Sequence, residues 1–101
     1  MTISPENAFG IIGGKSEITC ELGPGSANAI TYELNGGIIY SFINGKEDYP
    51  KGRNKYQLQV KRQSFTLEIN NLTFSDGGRY ECLTDTGRAS ATLCIFGKLL
   101  V

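Results

Sequence analysis

Apolar and polar residues alternate along most of this chain with the side-chain period of a half-buried β-strand. In "SEITCEL", residues 16–22, Ile18, Cys20 and Leu22 alternate with Glu17, Thr19 and Glu21. "AITYELN", residues 29–35, sets Ile30, Tyr32 and Leu34 against Thr31, Glu33 and Asn35. "KYQLQVKR" carries Tyr56, Leu58 and Val60 on one parity, and "SFTLEINNL" carries Phe65, Leu67 and Ile69. "RYECLT" and "RASATLCIF" follow. The breaks are "GPGS", "NGG", "NGK", "YPKG", "RQS", "SDGG" and "TDTG". Asn-Gly between apolar runs is a strong hairpin signal, and no window shows a helical period. About eight or nine short strands at this spacing predict an all-β sandwich or barrel. One segment breaks the alternation. In "IIYSFI", residues 38–43, Ile38, Tyr40 and Phe42 share one parity, and Ile39, Ser41 and Ile43 the other. Both faces of this strand therefore need a cover.

Length and composition narrow the function classes. The 101 residues make one domain, 1–101, with room for one two-layer core. Ten basic and ten acidic residues cancel, so nucleic acid is not an expected partner. No apolar run is long enough to span a bilayer, and no signal-peptide pattern opens the chain. It reads as a mature fragment, with any secretion signal or membrane anchor in the parent outside it. Histidine is absent, which removes the commonest general base and metal ligand. The three cysteines, Cys20, Cys82 and Cys94, form no C-x-x-C pair, so neither a metal site nor a redox motif is expected. No enzyme activity, cofactor or small-molecule substrate is expected. "GGKS", residues 13–16, ends like a phosphate-binding loop, but Phe9 stands where its first glycine belongs and a strand follows. It reads as a turn.

"SDGGRYEC" resembles the D-x-G-x-Y-x-C signature of immunoglobulin-superfamily domains, here Asp76, Gly78, Tyr80 and Cys82. "FTLEINNL", with Leu67, Ile69 and Leu72, resembles that family's approach to the same corner, and Cys20 matches its strand-B cysteine. The resemblance covers nearly the whole chain and implies a two-sheet Greek-key sandwich. The long stretch between Cys20 and Cys82 has room for a C′ strand and a C″ strand, which is similar to the variable (V) set or a long intermediate set. The resemblance implies a tyrosine corner at Tyr80 and an ion pair between Asp76 and a basic residue at the start of strand D. Arg53 is the first candidate for that residue and Lys55 the second. It also implies a Cys20–Cys82 disulfide and, with it, an extracellular setting; a reduced pair is the alternative. The family's strand-C tryptophan is missing, since the chain has no Trp. Tyr32 or Leu34 takes its place by spacing.

Cys94 is left over. Parity points it away from the core with Thr92 and Phe96. A half-buried free thiol, a bond to a segment outside this fragment, and an intermolecular bridge are the three readings. Asn71-Leu72-Thr73 is an N-glycosylation sequon, and Asn71 is expected to face solvent.

The A′GFCC′C″ sheet of such a domain would present Glu33, Arg79, Glu81, Leu83 and Phe96 outward. From C′ it would add either Ile38, Tyr40 and Phe42 or Ile39, Ser41 and Ile43. Exposed apolar residues beside Arg mark interaction faces. A lid made by "KEDYPKGRNK", with Tyr49 and Pro50, is the competing cover for C′. The function expected is cell-surface recognition, with the same domain on an opposing cell as partner. The overall style resembles divergent invertebrate receptors, among them cnidarian allorecognition receptors, whose V-set-like ectodomains bind homophilically. Two alternatives stand beside it: a heterophilic immune or adhesion receptor using the loops "GPGSAN" and "TDTG", and a structural module in a tandem array.

Overall fold

The computed structural model describes residues 1–22, 29–61, 63–85 and 87–97. The loop "GPGSAN" and Thr86 of "TDTG" lie outside the described residues. Among the described residues are ten strands and one 3₁₀ turn. They are β1 (Thr2–Ser4), β2 (Asn7–Ile11), β3 (Ser16–Glu21), β4 (Ala29–Leu34), β5 (Gly37–Ile43), β6 (Lys46–Asp48), β7 (Tyr56–Lys61), β8 (Ser64–Ile69), the turn Phe74–Asp76, β9 (Gly78–Thr84) and β10 (Gly87–Phe96). They form two sheets, one ordered β1-β3-β8-β7 and the other β2-β10-β9-β4-β5-β6.

The sandwich follows from the alternation. The inward residues of both sheets, Ile18, Cys20, Ile30, Tyr32, Leu67, Ile69, Tyr80, Cys82 and Leu93 among them, form one buried cluster. A disulfide joins Cys20 on one sheet to Cys82 on the other. Tyr32 pairs with Cys82 across the strands and is fully buried. Its hydroxyl donates to the Phe65 carbonyl on the opposite sheet, 2.7 Å away. Here a phenol spans the two layers beside the disulfide and finds the hydrogen-bond partner that burial demands. Leu34, the other residue weighed for this place, lies one turn of the pleat away and is only half-buried.

The N-terminal segment changes sheets at Pro5. β1 pairs antiparallel with β3, and β2 pairs parallel with β10. The strand pattern of β2 is easy to miss because its inward residues are small. Ala8 and Gly10 face the core, while Phe9 and Ile11 face out. Gly10 is small for a reason: a Cβ there would lie 2.3 Å from Leu72 Cδ1.

β7 departs from its alternation. Tyr56 is buried, Leu58 is half-buried and Val60 is exposed. β7 is the edge of its sheet, and its end runs past the core.

All five tyrosines have their phenol ionisation pushed up, in each case chiefly by burial. For Tyr56 the shift reaches about 12, with the Asp76 carboxylate adding to it. The neutral phenol is thus favoured in the folded state. Its contribution to stability is whole below pH 10, the unfolded value, and is lost as pH climbs from there towards the folded value. Each of the buried groups, Tyr32, Tyr40, Tyr56 and Tyr80, contributes a slope of about 1.4 kcal/mol per pH unit in that window. Tyrosinate absorbance is therefore expected to appear above pH 10 together with the loss of circular dichroism. Tyrosinate forming near pH 10 in a chain that keeps its fold would contradict the burial.

Candidate binding face

The outer surface of the six-stranded sheet is set by register. Glu33 pairs with Glu81, and Tyr32 with Cys82. Ser90 pairs with Glu81 and Thr92 with Arg79. Cys94 pairs with Phe9 and Phe96 with Ile11. Tyr32 and Cys82 point into the core, so their strand neighbours Glu33, Glu81 and Arg79 point out. β10 presents Thr92, Cys94 and Phe96 on the same face, and Cys94 is an exposed free thiol.

β5 does not keep one parity. Tyr32 pairs with Tyr40, but the next residue, Glu33, pairs with Ile38, so the ladder shifts at Ile39. This extra residue is a β-bulge, which reverses the side-chain direction after it. Ile39 and Tyr40 are consecutive and both buried. Beyond the bulge, Phe42 pairs with buried Ile30 and packs on the core. Tyr40 and Phe42, which belong to one of the two sets weighed for the outer face, are thus inner residues. The outward residues of β5 are Ile38, Ser41 and Ile43.

The inner side of β5 acquires a lid. The Tyr49 ring meets Tyr40 edge-on at 4.9 Å, and the Arg53 guanidinium lies over Tyr49 at 5.1 Å. Glu47 accepts from both phenols. Burial, then the negative charge of Glu47, pushes the Tyr40 phenol up. Arg53 is therefore occupied, and the ion pair expected of it is absent. The residue paired with Asp76 is Lys55, in direct contact. Lys55 also donates to the Asn71 carbonyl, while Asp76 accepts from the Thr73 amide and hydroxyl. Tyr80 donates to the Asp76 carbonyl, closing the corner. Asn71 is exposed, with φ 47°.

The finished face has a charged centre between two apolar flanks. Arg79 lies 3.2 Å from Glu81 and Arg88 3.9 Å. Glu33 lies beside Glu81 on the neighbouring strand. On one flank Phe9 and Phe96 stack with centroids 6.0 Å apart, with Ile11 next to them; on the other are Ile38 and Ile43. These five large apolar side chains are between 47% and 64% exposed. Phe9 and Ile11 were not legible as face residues because their strand was not recognised. Ile43 was legible only as half of an open choice.

No protein-family model matches the chain, and no curated protein matches it in sequence. Solved structures do. A marsupial T cell receptor matches with TM-score 0.80 at 13% identity, covering 98% of this chain and 36% of that one. The extracellular domains of the voltage-gated sodium channel beta4 subunit match with TM-score 0.73 at 18% identity, covering 92% of this chain and 86% of that one. The I9–I11 tandem from titin matches with TM-score 0.73 at 17% identity, covering 95% of this chain and 33% of that one. This chain spans about a third of the T cell receptor and titin chains it matches. At such identities the likeness is one of fold, and with two Greek-key sheets bridged by Cys20–Cys82 the chain is an all-β, immunoglobulin-like sandwich.

Proposed function

We propose that this chain is a variable-type recognition domain of a cell-surface receptor and that it binds a second copy of itself through its six-stranded face. The observation that carries this reading is the face just described: a charged centre flanked by exposed Phe9, Ile11, Phe96, Ile38 and Ile43. A surface of this kind is unusual on an isolated domain. Its centre holds both charge signs, which lets an isologous pair be self-complementary. The sodium channel beta4 ectodomain is described as a parallel homodimer that explains a role in cell–cell adhesion, which supports the same use of the fold here. The disulfide suits an oxidising extracellular location, and exposed Asn71 in its sequon suits glycosylation. A kinship with divergent invertebrate allorecognition receptors belongs to this reading.

The likeness to titin favours one other use, a structural module in a tandem array. The test is display of the domain at high density on beads. Beads carrying it are expected to cluster, because multivalency raises weak pairwise affinity by orders of magnitude. Beads that stay dispersed would sink the homophilic reading and leave the structural and heterophilic ones.

A further inference from the structure

The register across the six-stranded face divides its charges into rows. Glu33, Glu81, Ser90 and Ile38 stand side by side in one row. Two residues along the strands is the next outward row. It holds Arg79 and Thr92, together with Asn35, whose side-chain oxygen accepts from the Arg79 amide at 2.9 Å. One row is acidic and the next is basic, about 7 Å apart.

This pattern limits how two copies can meet. A two-fold axis running along the strands lays each row on itself. With that axis between β4 and β9, Glu33 and Glu81 would face the same two carboxylates of the partner, a like-charge contact that costs several kcal/mol. A two-fold axis running across the strands exchanges rows. Placed at the level of Tyr80, midway between them, it sets Arg79 over the partner's Glu81 and Glu81 over the partner's Arg79. The same operation brings Glu33 to the amide side chain of the partner's Asn35. It also brings the two copies of Ile38 near each other, each half a row spacing from the axis.

Resting on the homophilic reading above, we propose that the domain pairs with a second copy of this chain about a two-fold axis perpendicular to its strands at the level of Tyr80. The strands of the two faces run antiparallel, and the centre is a four-charge ring of Arg79 and Glu81 from both copies. Arg79 and Glu81, already 3.2 Å apart within one chain, are in this way the residues that set orientation. The crossing of twisted sheets, about 30°, leaves groups this near the axis in place.

Charge swaps on beads of two colours test the geometry. Arg79→Glu alone sets Glu against Glu twice, and Glu81→Arg alone sets Arg against Arg twice. Each variant by itself is expected to cluster more than about tenfold less than the unaltered domain. Mixed together, the two variants restore both pairs, and beads of the two colours are expected to cluster with each other. If unaltered beads cluster and the mixture stays dispersed, with both variants folded by circular dichroism, this geometry is overturned while the homophilic reading stands. If unaltered beads do not cluster, both fall. Should a swapped variant unfold, Ile38→Cys in a Cys94→Ser background replaces it. A short bismaleimide is expected to link two copies of this chain into a dimer on a denaturing gel, and absence of the dimer overturns the geometry.

Discussion

Asp76→Ala is expected to lower the unfolding free energy by about 3–5 kcal/mol, the range for breaking a buried ion pair. The Asp76 side chain is 6% exposed and that of Lys55 24%, so the pair is largely dry. One carboxylate oxygen receives Lys55 Nζ and the Thr73 amide and hydroxyl. Removing it leaves an ammonium and an amide without their acceptor. Lys55→Ala is expected to fall in the same range, since it strands the carboxylate. Arg53→Ala separates the two candidate partners. Its guanidinium rests on Tyr49 at the surface, which is worth no more than about 1 kcal/mol. Urea midpoints of the three variants decide the matter. A silent Lys55→Ala beside a damaging Arg53→Ala would contradict the pairing.

The second large effect is expected at the disulfide. Cys20 and Cys82 close a loop with a sequence separation of 62, and in the chain-entropy model that constrains the unfolded chain by roughly 4 kcal/mol. Both sulfurs are fully buried. Cys20→Ala/Cys82→Ala is thus expected to lower stability by about that amount, a large share of the 5–15 kcal/mol typical of a folded domain. Reduction of the unaltered protein in urea is expected to shift its midpoint similarly. An unchanged midpoint on reduction would mean that the bond contributes nothing. Cys94 is the internal control: Cys94→Ser should leave the urea midpoint where it was, because that thiol is exposed and outside the core.

The fold was legible where a pattern repeats. Period-two alternation in residues 16–22, 29–35 and 64–69 marks strands because one face of each lies on the core, and the tyrosine–cysteine spacing before Cys82 marks the corner. Three features were not legible, each for a physical reason. β2 hides because its inward residues are only Ala8 and Gly10, the latter held small by close packing against Leu72, while its large apolar side chains point out. The choice between Arg53 and Lys55 depends on a loop path that two nearby cations do not specify; Tyr49 draws Arg53 to the other side. The outward residues of β5 could not be assigned by parity because a bulge at Ile39 changes parity within the strand. The run Ile38-Ile39-Tyr40, three apolar residues in sequence, was its trace. Two different covers answer the two apolar faces of "IIYSFI". The core and the Tyr49 lid take Ile39, Tyr40 and Phe42. Ile38 and Ile43 are left to solvent or to a partner.

Homophilic binding through this face meets its most direct test in bead clustering by two variants at exposed apolar positions, one on the face and one off it. Ile38→Asp puts a carboxylate on an apolar flank of the six-stranded face, and Val60→Asp puts one on the edge strand of the other sheet, where the side chain is also exposed. Both should fold, since neither side chain belongs to the core. Beads carrying the unaltered domain and Val60→Asp are expected to cluster, and beads carrying Ile38→Asp to stay dispersed. Clustering by Ile38→Asp equal to that of the unaltered domain would place the contact elsewhere and contradict the assignment.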